Sequence, residues 1–319
     1  MIGNLITAFL ISLIAAAVIY PFYINWIKKL QYGQHIREDG PTTHAGKAGT
    51  PTMGGVVFLA AAVIVSLLMM GRSLILYPLL LVIVGCGAIG FLDDYYKIIK
   101  KRSLGLKARS KLIGEIVITI FFILLIRQMG IYSSEISVPF SGLSFDLGFI
   151  YPLFVFAVIS GASNAVNLTD GIDGLAAGTS FIALIAYIII ALQANLTEAA
   201  LLSAALAGGC LGFLLYNRHP ARIFMGDVGS LALGSTFAAL ALITKTELLL
   251  IIIGGVFVLE TLSVIFQVIS FQLTGHRVLL MAPLHHHFEL KGWSEWKVVS
   301  IFWVTGIIFS IVGLAGYSN

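Results

Sequence analysis

Carboxylates, amides and histidines in this chain gather into four short segments whose residue types suit phosphate or metal chemistry. Asp93 and Asp94 stand side by side in GFLDDYYKIIKK, after an apolar run and before a basic stretch. Adjacent acids repel each other and a helix C-terminus disfavours negative charge, so something cationic must offset them. A divalent ion or Lys97, one turn on, would do so; plain solvation at a helix end is the simpler alternative. In SNAVNLTDGIDGLAAG, Asp170 and Asp173 lie three apart, Gly171 and Gly174 permit a tight turn and close approach to a ligand, and Asn167 adds an amide. One acid there could cap the next helix, but two acids and an amide exceed what a cap needs.

The segment YNRHPARIFMGDVGSLALG sets Gly226, Asp227, Gly229 and Ser230 at the start of an apolar helix. A helix N-terminus attracts phosphate, and a carboxylate there can hold a metal ion that the phosphate shares. Asp227 taken alone also reads as an N-cap, which leaves Asn217, Arg218 and Arg222 unexplained. In MAPLHHHFELKGW, His285, His286 and His287 cannot all face one way on a helix, so at most two share a ligand. Zinc ligation, proton transfer and phosphate contact compete for them. Beyond nearby Glu289 no further zinc-ligand spacing occurs, which favours phosphate. Together the four segments suggest a hard cation, Mg²⁺, shared by carboxylates and substrate phosphates, and hence phosphoryl transfer. A secondary transporter is the rival class, since intramembrane acids also mark ion pathways; acids gathered at one surface argue against it.

The elements that must hold these segments are apolar helices. The chain of 319 residues is 59% hydrophobic and only 11% charged. Apolar runs predict an all-α polytopic membrane protein with about ten spanning helices. They fall near 4–27, 53–70, 74–92, 112–129, 151–167, 175–192, 198–216, 229–244, 247–273 and 298–316. The alternate loops 28–52, 93–111, 217–228 and 274–297 hold 16 of the 19 Lys and Arg and all seven His, and together with the turn 168–174 on the same side they hold six of the seven Asp. By the positive-inside rule they are cytoplasmic and both termini are external, with Arg72, Arg127 and Lys245 near the other face.

The first run is too long for a cleaved signal peptide, and residues 131–149, without Lys or Arg and broken by Pro139 and Gly142, predict a short external hairpin. Cys86 and Cys210 lie in apolar runs and read as packing residues. No nucleic-acid motif and no domain linker occur, so residues 1–319 are expected to form a single membrane domain. The ninth run carries Glu260 and would be roughly 42 Å long as a helix, against a hydrocarbon core of about 30 Å. It must tilt or break, and a break would open an apolar groove suited to a lipid substrate. Glu260 reads equally as a buried carboxyl bonded to a neighbouring helix.

With those residues in view, GTPTMGG (49–55), FLDDYYK (91–97), NAVNLTDGIDGLAAG (164–178), FMGDVGSLALG (224–234) and MAPLHHHFELKGW (281–293) resemble the signatures of the polyprenyl-phosphate N-acetylhexosamine-1-phosphate transferases, in family order and across the whole chain. The last segment resembles the muramoyl-pentapeptide branch. The resemblance implies an Mg²⁺-dependent enzyme of the bacterial cell (inner) membrane, passing phospho-N-acetylmuramoyl-pentapeptide from its UDP carrier to undecaprenyl phosphate, with lipid I and UMP as products. A transferase of N-acetylglucosamine-1-phosphate is the alternative within the family, and a homodimer is expected by resemblance alone.

The resemblance also implies roles for residues. Asp93, Asp94, Asp227 and His285 would be catalytic, with Asp227 and Asp170 at the metal. Lys47, Lys97, Lys111, Asn167, Asp170, Asp173, Asn217, Phe224, His286 and His287 would contact nucleotide or substrate. THAGK (43–47), with few lysines, Arg218 and Arg222, and Glu115 in place of Gln depart from the family pattern. Either Asp93 or Asp94 would deprotonate or orient the lipid phosphate for direct attack; a covalent aspartyl-phosphate intermediate is the other route.

Overall fold

The structure, a computed structural model, describes residues 1–30, 47, 49–71, 73–100 and 105–317. Thr43 to Gly46 of the THAGK stretch and Arg72 lie outside the described residues.

All ten apolar segments are helical. They form α1 (Ile2–Lys29), α2 (Gly55–Met70), α3 (Leu76–Ile99), α4 (Ala108–Gln128), α5 (Tyr151–Thr169), α6 (Leu175–Gln193), α7 (Thr197–Asn217), α8 (Gly226–Thr244), the pair α9 (Glu247–Ile253) and α10 (Gly255–Thr274), and α12 (Glu295–Tyr317). A short α11 (Leu284–Leu290) carries the three histidines. Eight helices among the described residues are long and apolar enough to cross a membrane. The other two expected spans fall short for physical reasons: α2 has only 16 residues, and α4 carries Arg109, Lys111, Glu115 and Arg127. The expected hairpin is present as β1 (Glu135–Ser137) and β2 (Ser144–Asp146), antiparallel with Ile136 opposite Phe145.

The ninth run breaks rather than tilting intact. Gly254 separates α9 from α10, where the chain leaves helical geometry at φ −82° and ψ 17°. The break leaves an apolar groove of about 300 Å³ between α5, α8, α9 and α10, lined by residues such as Val158, Gly161, Ala165, Phe237, Leu250 and Phe257.

Helices α7 and α8 are the most enclosed, packed by α1, α3, α5 and α6. Lipid supplies little hydrophobic drive between helices, so close backbone approach matters. Gly208 and Gly212, one turn apart, let α1 press Phe9 and Ala16 against α7, where any side chain would collide. The two ends of α8 differ in character. Its first turn holds Asp227, whereas its C-cap Lys245 donates to the carbonyl of Ser133 (2.7 Å) beside the hairpin and to the hydroxyl of Tyr151 (3.0 Å), which donates to Glu247 (3.0 Å). Nineteen residues of helix span roughly 28 Å, close to the hydrocarbon thickness, so hairpin and acidic segment lie at opposite ends of a membrane-length rod.

Candidate active site

Two corrections to the sequence reading place the acids. First, α3 continues to Ile99, so Asp93 and Asp94 lie within the helix and not at its end. Lys97 makes this tolerable. Its ammonium lies 2.7 Å from Asp93 Oδ2 and 3.6 Å from Asp94 Oδ1, one turn along the same face. Second, Asp227 is no N-cap: α8 starts at Gly226, and the Asp227 carboxylate reaches Lys97 (2.8 Å) and Lys111 (2.7 Å). The first turn of α8 is served from outside, by Asp94 Oδ2 accepting the Val228 N–H at 3.1 Å.

Close backbone packing brings α3 and α8 together. Gly90 lies against the carbonyl of Asp227, and Gly226, at φ 75°, faces the Asp94 carboxylate; a side chain at either would strike the neighbour. Asp93 Oδ1 accepts the Leu106 N–H at 2.7 Å and lies 3.0 Å from Lys111, which ties the start of α4 into the cluster. Oxygens of Asp93, Asp94 and Asp227 lie within 4.8 Å of one another, a spacing that a metal ion can span. Asp93 and Asp94 are buried, while Asp227 and the two lysines keep some exposure, so the cluster opens on one side. Three carboxylates and two ammonium groups offer a hard-oxygen donor set in which cations already balance most of the charge.

Asp170 follows the last residue of α5 and lies outside that trio, near enough for it to act electrostatically. Burial, then the charges of Asp227 and Asp94, push its carboxyl up to about 8. Asp173 belongs to a second cluster. Its carboxylate takes Lys47 at 2.8 Å, the Ala221 N–H at 3.0 Å and His219 Nδ1 at 3.1 Å. Glu295, in the first turn of α12, joins it through Lys47 (2.6 Å), His219 (2.9 Å) and the Asp173 N–H (2.7 Å). Asp173, His219 and Glu295 form the other metal-compatible group among the described residues, with the Lys47 ammonium bound by two of its members.

The remaining expected residues divide between contact and support. Asn167 donates to the Ser230 hydroxyl at 2.8 Å, linking α5 to the first turns of α8. Asn217 is buried with both amide ends used, accepting from Gly174 N–H and donating to the Ile223 carbonyl, each at 2.9 Å. Phe224 is half-buried; its N–H donates to the Pro51 carbonyl and its carbonyl accepts from Gly54, both at 2.8 Å, so GTPTMGG pairs with FMGDVG. From α1, Tyr20 and Tyr23 donate to the carbonyls of Gly54 and Met53 and support that turn.

The three histidines diverge, as consecutive helical residues must. His285 is fully buried, 3.1 Å from Glu260. His286 meets Glu289 at 2.7 Å, and His287 Nδ1 accepts the Leu280 N–H. Burial, followed by the charge of Lys291, lowers the pKa of His287 and favours its neutral ring. The sequence reading missed His219 and Glu295. His219 sits inside the quoted YNRHPAR segment and Glu295 two residues beyond Trp293, so proximity to signature segments was the only signal.

Comparison with known proteins identifies the family. Residues 76–245 match the family model described as glycosyl transferase family 4, and residues 47–59 match phospho-N-acetylmuramoyl-pentapeptide-transferase signature 1. The chain is 49% identical over 314 residues to the phospho-N-acetylmuramoyl-pentapeptide-transferase of Halalkalibacterium halodurans, covering 97% of this chain and 96% of that protein. It is 47% identical over 315 residues to the protein of that name from Bacillus subtilis, covering 98% and 96%.

Proposed function

This chain belongs to the phospho-N-acetylmuramoyl-pentapeptide-transferases of glycosyl transferase family 4, and from that premise we propose that it transfers phospho-N-acetylmuramoyl-pentapeptide from the UDP-linked donor to undecaprenyl phosphate, releasing UMP. The observation that carries the chemistry is the gathering of Asp93, Asp94 and Asp227 around Lys97 and Lys111 at the start of α8. One phosphoanhydride replaces another, so the protein's work is positioning and charge neutralisation. Lys97 and Lys111 face the carboxylates in a site with one open side, where substrate phosphates can compete for the ammonium groups. Asp93 or Asp94 orients or deprotonates the lipid phosphate for direct attack on the donor. The all-oxygen donor set of Asp93, Asp94 and Asp227 fits Mg²⁺; Asp227 would hold it, with Asp170 of the turn after α5 as a further ligand, and when bound it would neutralise charge on the diphosphate and the leaving UMP.

Lys47 and Asp173, with Asn167 from the end of α5 and Phe224 from the turn before α8, serve the nucleotide, while the half-buried His286 and His287 of α11 serve the sugar-phosphate and the buried His285 stays behind them. The groove opened at Gly254 takes the polyprenyl chain, for its apolar lining offers a lipid tail what no polar substrate would gain. The chain forms one multi-pass domain of the bacterial inner membrane, its ten helical segments crossing with the acidic clusters in the cytoplasm and the hairpin and termini outside. The 16-to-3 split of basic residues supports this orientation. A cysteine introduced at Ser141 should label from outside intact cells and one at Lys291 should not; the reverse result would invert the topology. The substrate reading is tested by UMP release from two donors. UDP-N-acetylmuramoyl-pentapeptide should turn over and UDP-N-acetylglucosamine scarcely; similar rates would remove the substrate assignment and keep the reaction class.

A further inference from the structure

Glu260 and His285 form a buried couple that the transfer chemistry above does not use. Both side chains are fully enclosed. Glu260 lies on α10, two turns past the Gly254 break, and His285 on α11. One carboxylate oxygen lies 3.1 Å from the ring Nδ1 and the other accepts the His285 backbone N–H at 3.5 Å. Among the described residues neither ring nitrogen nor Glu260 Oε1 has a hydrogen-bond partner, so the 3.1 Å approach is an ion-pair contact; the second ring nitrogen, Nε2, lies against Gly171, so closely that a Cβ there would collide with it. Gly171 is exposed on its other side and separates Asp170, beside the acidic trio, from Ile172 and Asp173, in the Lys47 cluster.

A carboxylate buried in mid-helix is costly unless it holds a partner in place. Here its partner is a ring pressed under Gly171, in the short turn that links the two clusters. We propose that Glu260 is a positioning residue for the transfer reaction: it fixes the His285 ring, which braces the turn at Gly171 and so sets the spacing of Asp170 and Asp173. Because α10 also walls the groove, the brace ties the acceptor's helix to the donor's turn. This inference rests on the transferase reading above.

The test uses the full-length protein in lipid nanodiscs, with Glu260→Gln, Gly171→Ala and their combination. The amide keeps the shape of Glu260 and weakens its hold on the ring; the methyl group displaces the same ring from the opposite side. Each single change should lower kcat about ten- to a hundred-fold, as small misplacements of catalytic groups do. The thermal midpoint should fall without loss of the cooperative transition, and the KM for lipid phosphate should stay near wild type. Acting through one contact, the double variant should lose no more than the worse single. Losses that multiply, or wild-type kcat in Gly171→Ala, would overturn the proposal. If Glu260→Gln does not fold, the affinity of Gly171→Ala, His285→Ala and their double variant for UMP reads the same contact: a non-additive loss supports the brace and an additive one overturns it. An inactive wild-type protein would instead refute the transferase reading.

Discussion

Replacing Asp227 by Asn should abolish most of the transfer while leaving the fold in place. The Asp227 carboxylate accepts from Lys97 at 2.8 Å through one oxygen and from Lys111 at 2.7 Å through the other. The amide keeps one of these contacts and turns an NH₂ group towards the second ammonium, so an attraction becomes a repulsion. Breaking one partner of an enclosed ion pair costs about 3–5 kcal/mol. If that cost is expressed in the transition state, kcat falls by roughly 10²- to 10⁴-fold at about 1.4 kcal/mol per decade. Both lysines retain Asp93, at 2.7 and 3.0 Å, which is why the helices should stay packed. The assay is UMP release by purified protein across an Mg²⁺ titration, with the thermal midpoint measured in parallel. A variant that turns over at close to the wild-type rate with an unchanged Mg²⁺ requirement would refute the reasoning, and one that is inactive but unfolded would refute the claim that the cluster is separable from the fold.

Two further predictions follow from the groove and from Asp170. Gly161 lines the groove and a Cβ there meets nothing within 4 Å, so Gly161→Phe should project its ring into the channel; excluding three or so methylenes of lipid at about 0.8 kcal/mol each should raise the KM for the lipid phosphate roughly ten- to a hundred-fold. The KM for the UDP donor should not move, and an equal rise in both would place the lipid elsewhere. For Asp170, folding raises the carboxyl to about 8, above an unfolded value near ~3.9. The folded state therefore retains that proton, and its stabilising contribution is complete below the unfolded value and lost as pH climbs to the folded one. In metal-free protein, the thermal advantage of Asp170→Asn should grow from about pH 4 to pH 8 and then level off, whereas a gap independent of pH would contradict the crowding of that carboxyl.

What the sequence showed of this protein follows the range of the interactions involved. Apolar runs reveal helices because burial in lipid is a local property of each segment, and all ten emerged. The break at Gly254 was half legible: length alone required a tilt or a break, and the Gly-Gly pair at 254–255 decided which. Helix ends were less legible. Asp93 and Asp94 looked terminal because charge ends an apolar run, but Lys97 carries α3 a further turn and a half. Asp227 looked like a cap because caps are local, whereas the group that serves Val228 comes from Asp94, 134 residues away in sequence. The same holds for Glu295, which meets Asp173 and Lys47 across 122 and 248 residues, and for Glu260, whose partner became visible only once α11 folded back onto α10. Residue types suggested the chemistry, and long-range packing alone decides which of those residues meet.

The central claim, direct transfer to a lipid phosphate at the Asp93, Asp94 and Asp227 cluster, is tested most directly by the first turnover of purified protein with UDP-N-acetylmuramoyl-pentapeptide and Mg²⁺, with and without undecaprenyl phosphate. Direct attack predicts UMP release only when the lipid phosphate is present. A burst of one UMP per protein molecule in its absence would reveal a covalent aspartyl intermediate and contradict the account.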